Sequence, residues 1–85
     1  MPVFFFHARD GATFTKDLEG VEFAQIEDAR REALRAGKQA LADHLNRGGQ
    51  LSAAMTRSIE IADTSGMVMT VVTYAEAAEA ADQRP

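Results

Sequence analysis

The sequence contains no cysteine, which excludes a disulfide framework and thiolate chemistry. It also has no apolar run approaching the roughly 20 residues that a membrane-spanning helix requires. The apolar opening, Met1 to Phe6, is too short for a secretory signal and has neither a basic flank nor a small-residue cleavage site. These absences lead us to expect a cytoplasmic protein without a membrane partner.

Motifs that mark catalytic or ligand-binding sites are also missing. The chain has no phosphate-binding loop, no dinucleotide fingerprint and no nucleophile elbow. Its two histidines, His7 and His44, lack other ligands at metal-binding spacing. We therefore expect no enzymatic activity, no metal and no cofactor. A composite active site around His7 and Asp17 is a further hypothesis, here called the enzyme hypothesis. It requires a concave pocket that holds both residues.

The net charge of -4 is distributed unevenly along the chain. Residues 1–28 hold two basic and six acidic side chains, residues 29–57 hold six and two, and residues 58–85 hold one and five. The middle is therefore +4 and each flank is -4. One interpretation is internal, with a basic helix among acidic loops whose fields largely cancel. The other is a basic stripe that contacts a partner.

A chain of 85 residues has room for one core, and folding buries only about 60 to 65% of its unfolded surface. We place a single domain at residues 1–78 and a frayed tail at residues 79–85. Without disulfides, such a core must suffice alone or gain buried area by self-association. A homodimer is therefore expected.

A first hairpin is predicted from strands at about residues 2–9 and 12–18. Asp10-Gly11 suits the two central positions of a type I′ turn, and this register sets His7 opposite Phe14. One face then carries Val3, Phe5, His7 and Phe14, and the other carries Phe4, Phe6 and Ala8. Because both faces are apolar, either the first strand is covered on both sides or one face meets a partner. Phe4 and Phe6 are our candidate partner-binding residues on this strand.

A long helix is predicted over about residues 25–46, ended by Asn46 and the glycines that follow. Apolar and small residues recur at steps of mostly three and four, namely Ile26, Ala29, Ala33, Gly37, Ala40, Leu41 and Leu45. The small residues within this seam allow a close approach to another surface. We expect the bulky side of that contact to come from the phenylalanines of the sheet.

Arg31, Arg35 and Lys38 lie together on a helical face away from the seam. Acidic residues three or four positions before each arginine favour a solvated, salt-bridged face. The alternative is a contact with nucleic acid, and these three residues are its candidate binding residues. The acidic residues between Asp10 and Glu22 do not match a calcium-binding loop, and we interpret them as solvated turn residues.

A second hairpin is predicted from residues 58–62 and 67–74, with Asp63 opposite Met67 across a three-residue loop. This register puts Ile59, Ile61, Met69 and Val71 on the core face. Residues 50–56 are predicted as a loop, and a short helix or tail begins at Ala75. The expected fold is a two-layer ββαββ α+β domain, in which a four-stranded antiparallel sheet packs against one long helix.

Several short motifs, taken in order, resemble a family of short bacterial proteins that carry a domain of unknown function. They are Phe5-Phe6-His7, Arg9-Asp10-Gly11, Asp17, Glu19-Gly20, Ala29-Arg30, Glu32-Ala33, Ile59-Glu60 and Asp63-x-x-Gly66. That family typically opens with Tyr-Phe-Phe and a following Arg-Asp-Gly, and the resemblance spans about residues 2–78. Gln25 and Thr73-Tyr74 depart from its usual capping Asp or Ser and its Pro-Phe strand end. The resemblance implies a cytosolic bacterial protein and supplies no activity.

The leading functional hypothesis is a non-catalytic interaction module that self-associates through its sheet as a homodimer. A different protein is an alternative partner for the same surface. The alternative function is a nucleic-acid-binding or antitoxin-like regulatory module, which would use Arg31, Arg35 and Lys38.

Overall fold

An antiparallel sheet of five strands forms one layer of the structure, and helices form the other. The structure is a computed structural model that describes residues 1–82, the last three by their backbone alone. The elements are β1 (Val3–Asp10), β2 (Thr13–Thr15), β3 (Val21–Glu22), α1 (Ile26–Asn46), α2 (Leu51–Ala54), β4 (Arg57–Ala62), β5 (Val68–Thr73) and α3 (Tyr74–Asp82). The predicted two-layer α+β fold with a long helix and a short C-terminal helix is confirmed. The predicted tail at 79–85 overlaps the end of α3 and otherwise lies outside the described residues.

The two hairpins meet at the centre of the sheet. The strand order is β2-β1-β4-β5, and β3 pairs with the start of β1. β3 adds a fifth strand where the sequence predicted only an extended link. Because β1 pairs with β4 along residues 5–10, the beginning of the chain lies against its second half. Residues far apart in the sequence therefore meet on one sheet face.

The first hairpin has a register two residues away from the predicted one. Phe14 lies opposite Arg9 rather than His7, so the turn is formed by Gly11 and Ala12. Only Gly11 has a positive φ, +59°, which is the pattern of a type II′ turn rather than type I′. A shift of two residues preserves the faces, since side chains alternate with a period of two.

The predicted register of the second hairpin is wrong by one residue. Asp63 bonds Met67 as expected, but a bulge follows, because Ala62 pairs with Val68 and Ile61 with Thr70. The additional residue, Met69, moves the rest of the strand to the opposite face. Val72 is consequently fully buried, whereas Met69 and Val71, the two residues of β5 predicted for the core, are exposed. Ile59 and Ile61 of β4 are buried as predicted.

α1 packs on the sheet through its small residues. Ala29 and Ala33 are fully buried against a cluster that includes Phe4, as the seam predicted. The prediction fails further along, because a Cβ on Gly37 would lie only 3.2 Å from the Cβ of Ala77 on α3. The small residues of α1 therefore admit a second helix as well as the sheet. Buried members of the core are Phe4, Ala29, Ala33, Ile59, Ile61 and Val72.

The segment that joins α1 to β4 is also more ordered than predicted. α1 ends at Asn46, and Gly48 takes a positive φ of +85°, as expected of a glycine after a helix. The predicted loop at 50–56 contains the short helix α2, which is anchored by the fully buried Ala54. Thr56 then ties this segment to the first hairpin, since its carbonyl accepts the Gly11 N–H at 3.2 Å.

Candidate functional site

The side of the sheet that faces away from α1 is here called the open face. The strand registers place upon it Val3, Phe5, His7 and Arg9 of β1, Phe14 of β2, Ser58, Glu60 and Ala62 of β4, and Val68, Val71 and Thr73 of β5. Its exposed apolar members include Phe14, Val68 and Val71, each more than 40% exposed. The open face is thus a mixed apolar and polar surface.

One end of the open face is polar. The Arg9 Nε donates a hydrogen bond to the Glu60 carboxylate at 2.5 Å. The guanidinium of the same arginine lies 4.8 Å from the centre of the Phe14 ring, within the range of a cation–π contact. These contacts hold the side chain of Arg9 along the open face, between Glu60 of β4 and Phe14 of β2.

The other end of the open face contains a cleft of about 320 Å³ between two loops. One wall is the segment Lys16–Leu18, and the other is the turn Asp63–Gly66. Phe5 and His7 form the floor. The pocket that the enzyme hypothesis requires is therefore present, and it holds both His7 and Asp17.

The first wall lies close to the sheet because of Gly20. This residue has a positive φ of +73°, and a Cβ upon it would come within 2.7 Å of Val3 and 2.9 Å of Phe5. Any larger residue would combine backbone strain with a collision. Glycine at this position lets the chain turn back over the open face.

His7 is 7% exposed and has a defined orientation. Its Nδ1 lies 3.0 Å from the backbone nitrogen of Asp17, whose N–H can only donate. Nδ1 is therefore the acceptor, and the neutral imidazole carries its proton on Nε2. The ring meets the edge of Phe14 with 5.4 Å between the ring centres. His7 thus presents an N–H donor at the bottom of the cleft.

The Asp17 carboxylate is engaged elsewhere. Its two oxygens accept the backbone N–H groups of Phe6 and Glu19, each at 3.0 Å. Burial opposes its ionisation, but the hydrogen bonds from the backbone of Phe6, Glu19 and Gly20 outweigh burial and hold the pKa of Asp17 below its usual value. Because the carboxylate does not bond the imidazole, the two residues do not form the carboxylate–histidine pair of general-base catalysis. Asp17 is a bonded residue of the loop, which corrects its interpretation as a solvated one.

The second wall of the cleft is organised by Asp63. Its Oδ1 accepts the N–H of Ser65 at 2.9 Å, the hydroxyl of Ser65 at 2.6 Å and the N–H of Met67 at 3.0 Å. The Ser65 hydroxyl contributes most to holding the pKa of Asp63 below its usual value, and the backbone N–H groups add to it. This wall is therefore anionic, whereas Lys16 places a cation on the wall opposite.

One free edge of the sheet is β5, which pairs only with β4 in the described chain, and the edge at the other side is the three-residue β2. β5 contains no charged residue and no proline. Four apolar side chains in β5 or directly before it are 42 to 64% exposed, namely Met67, Val68, Met69 and Val71. This strand is the most apolar exposed segment of the sheet.

The phenylalanines predicted to meet a partner lie on the other side of the sheet. Phe4 is 6% exposed beneath α1, and Phe6 packs against the same core. Phe23 lies beside both rings, at 6.5 Å from Phe4 and 6.0 Å from Phe6 between centres. The aromatic residues that reach the open face are instead Phe5 and Phe14.

The three basic candidates on α1 lie on one exposed face, as predicted. Arg31 pairs with Asp28 at 3.0 Å, and Arg35 makes two hydrogen bonds to Glu32 at 2.6 and 3.0 Å. The hydrogen bonds from Arg35 hold the pKa of Glu32 below its usual value. Lys38 is exposed beside them. Two of the three cations are thus paired with carboxylates on their own helix, as the salt-bridged interpretation expects.

Comparison with known families identifies the chain. The family described as Domain of unknown function (DUF6894) matches residues 3–75, which is most of the sequence. The chain belongs to the DUF6894 family. The match confirms the domain of unknown function that the motifs indicated, whereas the bacterial origin stays a prediction. No curated protein and no solved structure matches the chain.

No helix within residues 1–82 combines the length and the apolar composition needed to cross a membrane. No group of three or more His, Asp or Glu side chains in the same range is placed to hold a metal ion.

Sequence reasoning identified some members of the site but not their arrangement. It named His7 and Asp17 together, and it predicted the turn that contains Asp63 and Ser65. It could not bring Lys16 near Asp63, because that approach depends on the pairing of β1 with β4. The local sequence of a strand does not state which other strand it pairs with.

Proposed function

We propose that this DUF6894 chain is a non-catalytic cytosolic interaction module that forms a homodimer through the β5 edge and the adjoining open face. The observation that carries the proposal is the exposed apolar edge itself. Proteins usually protect edge strands with charge, proline or a covering segment, since an unprotected edge pairs readily with another strand. β5 has a bulge but neither charge nor proline.

The composition of the core supports the same proposal. Of the ten buried apolar residues in the described chain, five are alanines, and only Ile61 and Val72 are large side chains buried almost completely. Alanine contributes little apolar area, so the monomer gains less than an ordinary core from the hydrophobic effect. Covering the exposed apolar side chains of β5 would add buried area that the monomer lacks.

The dimensions of the molecule allow such an interface. Its principal extents are 37, 35 and 17 Å, so the sheet side is broad relative to its thickness. A stable interface buries about 800 Å² on each partner. A two-fold axis beside β5 would pair the same strand of both copies, which makes a closed dimer. Phe4 and Phe6 support the sheet from the core side in this arrangement.

Val71→Lys tests the proposed interface. Val71 lies opposite Glu60 on the open face, so a lysine there gains an oppositely charged neighbour in the monomer while placing a charge in the dimer contact. We expect sedimentation to show a dimer for the wild type and a monomer for the variant. The matched control is Val21→Lys, which changes a valine of similar exposure on β3 and should remain dimeric. A wild type that is monomeric at high micromolar concentration would contradict the proposal.

The nucleic-acid hypothesis gains no support from the geometry. Arg31 and Arg35 are already paired within α1, so fewer unpaired cations face a phosphate backbone than the sequence pattern indicates. It stays a prediction, and reversal of charge at Arg31, Arg35 and Lys38 would test it against any salt-sensitive binding.

A further inference from the structure

The floor of the cleft holds a polar atom that the structure leaves available. His7 is more than nine-tenths buried, and its Nδ1 is occupied by the N–H of Asp17. No buried side-chain nitrogen or oxygen in the described residues lacks a hydrogen-bond partner. Nε2 has no partner among those residues, so it is not a buried atom, and His7 is one of the residues that line the cleft. The Nε2–H of His7 is therefore a donor, fixed in position, that can bond an acceptor atom of a ligand in the cleft.

The two walls carry charges of opposite sign. Lys16 lies on one wall and the ionised Asp63 on the other. The second carboxylate in the cleft, Asp17, has both oxygens occupied by backbone N–H groups, which reduces its effect on a ligand. A ligand with a single charge would meet one favourable wall and one unfavourable wall. A ligand with both charges satisfies the two walls together.

The remaining lining defines the body of such a ligand. The Phe5 ring is stacked near the His7 ring, with 17° between their planes, and Leu18 is exposed at the rim. Aromatic and apolar groups favour contact with these surfaces. The volume of about 320 Å³ lies at the small end of the range for ligand pockets.

We propose that the cleft binds a free α-amino acid with an aromatic or apolar side chain. The carboxylate accepts the His7 Nε2–H and pairs with Lys16, the ammonium group pairs with Asp63, and the side chain packs on Phe5. The cleft lies outside the β5 edge, because β5 contributes none of its lining, although Phe5 and His7 belong to the open face.

A comparison of three ligands tests the charge requirement. L-phenylalanine carries both charges, whereas phenethylamine lacks the carboxylate and hydrocinnamate lacks the ammonium group. We expect a titration followed by ¹H–¹⁵N NMR to show saturable shifts at residues 16–18 and 63–66 with phenylalanine. Each analogue should bind at least about tenfold more weakly, since hydrocinnamate loses the contact with Asp63 and phenethylamine loses those with His7 and Lys16. No saturable shift at millimolar phenylalanine, or equal binding of either analogue, overturns the proposal.

Three conservative variants test the residues. Asp63→Asn keeps the Oδ1 acceptor of the turn but removes the charge, Lys16→Gln removes the opposite charge, and His7→Asn keeps an acceptor near Nδ1 but removes Nε2–H. Each should weaken phenylalanine binding about tenfold. Lys38→Gln, on the exposed face of α1, should not change it. Unchanged binding in Asp63→Asn and Lys16→Gln, which lie on the surface, overturns the assignment.

The outcome is independent of the dimer proposal. Val71→Lys leaves the cleft residues intact, so it should bind phenylalanine as the wild type does, whatever its oligomeric state. Loss of binding in that variant would place the ligand in the dimer interface and overturn the cleft as its site.

Discussion

The carboxylate of Asp17 lies where neither β2 nor β3 pairs with the middle of β1. β2 pairs with residues 8–10 of β1 and β3 with residues 3–4. Between them, Asp17 accepts the N–H of Phe6, and its own N–H donates to His7. One side chain thus supplies part of the bonding that a strand would provide. It also joins the core side of the sheet, through Phe6, to the cleft on the open face.

Asp17→Asn should lower the free energy of unfolding by about 1 to 3 kcal/mol at neutral pH. An amide can turn only one oxygen toward the two N–H donors and must face the other with its NH₂ group. Urea unfolding of both proteins measures the difference. Glu19→Gln is the control, since Glu19 is exposed in the same loop and its side chain has no hydrogen bond to the described residues.

The difference in unfolding free energy between the wild type and Asp17→Asn should also depend on pH, in a direction that the pKa of Asp17 sets. The folded-state pKa of Asp17 lies below the usual value of 3.8, so the ionised carboxylate stabilises the fold above that value. The advantage of the wild type over Asp17→Asn should be constant near neutral pH and decline as the pH falls below about 4. An advantage that persists at the lowest pH would show that the carboxylate charge is not the cause.

Secondary structure elements differ in how far the sequence determines them. The existence of α1 and of both hairpins, and the faces of β1, follow from the helical period and the turn glycines, whereas the hairpin registers do not. The register of β5 does not follow from them, since Val-Met-Thr-Val-Val-Thr is apolar on both faces and either register buries a valine. Packing in the core favours the register that buries Val72, and the bulge at Met69 produces that register.

The short elements were missed for a different reason. β3 has two residues and α2 has four, too few for a periodic pattern to develop. Both depend on tertiary contacts, with β3 paired to the start of β1 and α2 anchored by Ala54. The wall of the cleft formed by Asp63–Gly66 was not predicted for the same reason. The walls of the cleft belong to the two hairpins, and only the pairing of β1 with β4 brings them together.

Truncation of the two adjacent valines tests the register of β5. Val72→Ala should lower the free energy of unfolding by about 2 kcal/mol, since it removes two buried methyl groups and leaves a cavity. Val71→Ala should change it by less than about 0.5 kcal/mol in a monomeric background, because that side chain is exposed. Urea unfolding measures both. The reverse order of effects would support the register without a bulge.

At the scale of the whole molecule, a thin two-layer structure limits what one chain can bury. The sheet has a single helical layer on one side, and the smallest extent of the molecule is 17 Å. The charges of the helical layer lie close to one another, since α1 holds four basic and four acidic side chains and a salt bridge from Arg30 to Glu76 links it to α3. Three of the four cations of α1 are therefore paired with carboxylates of the helical layer. The apolar surface without a partner is on the sheet, at β5.

The thermal stability of such a chain should depend on its concentration. If unfolding requires the dimer to dissociate, mass action favours the folded state by about 1.4 kcal/mol of dimer for each tenfold rise in concentration. For a domain of this size, that corresponds to a rise in Tm of about 3 to 6 °C. Differential scanning calorimetry over a hundredfold range of concentration should show the rise for the wild type. Val71→Lys should give a lower Tm that is constant over the range, and the Val21→Lys control should follow the wild type. A wild-type Tm that does not change with concentration would mean that the monomer folds alone and that the β5 edge is left exposed in solution.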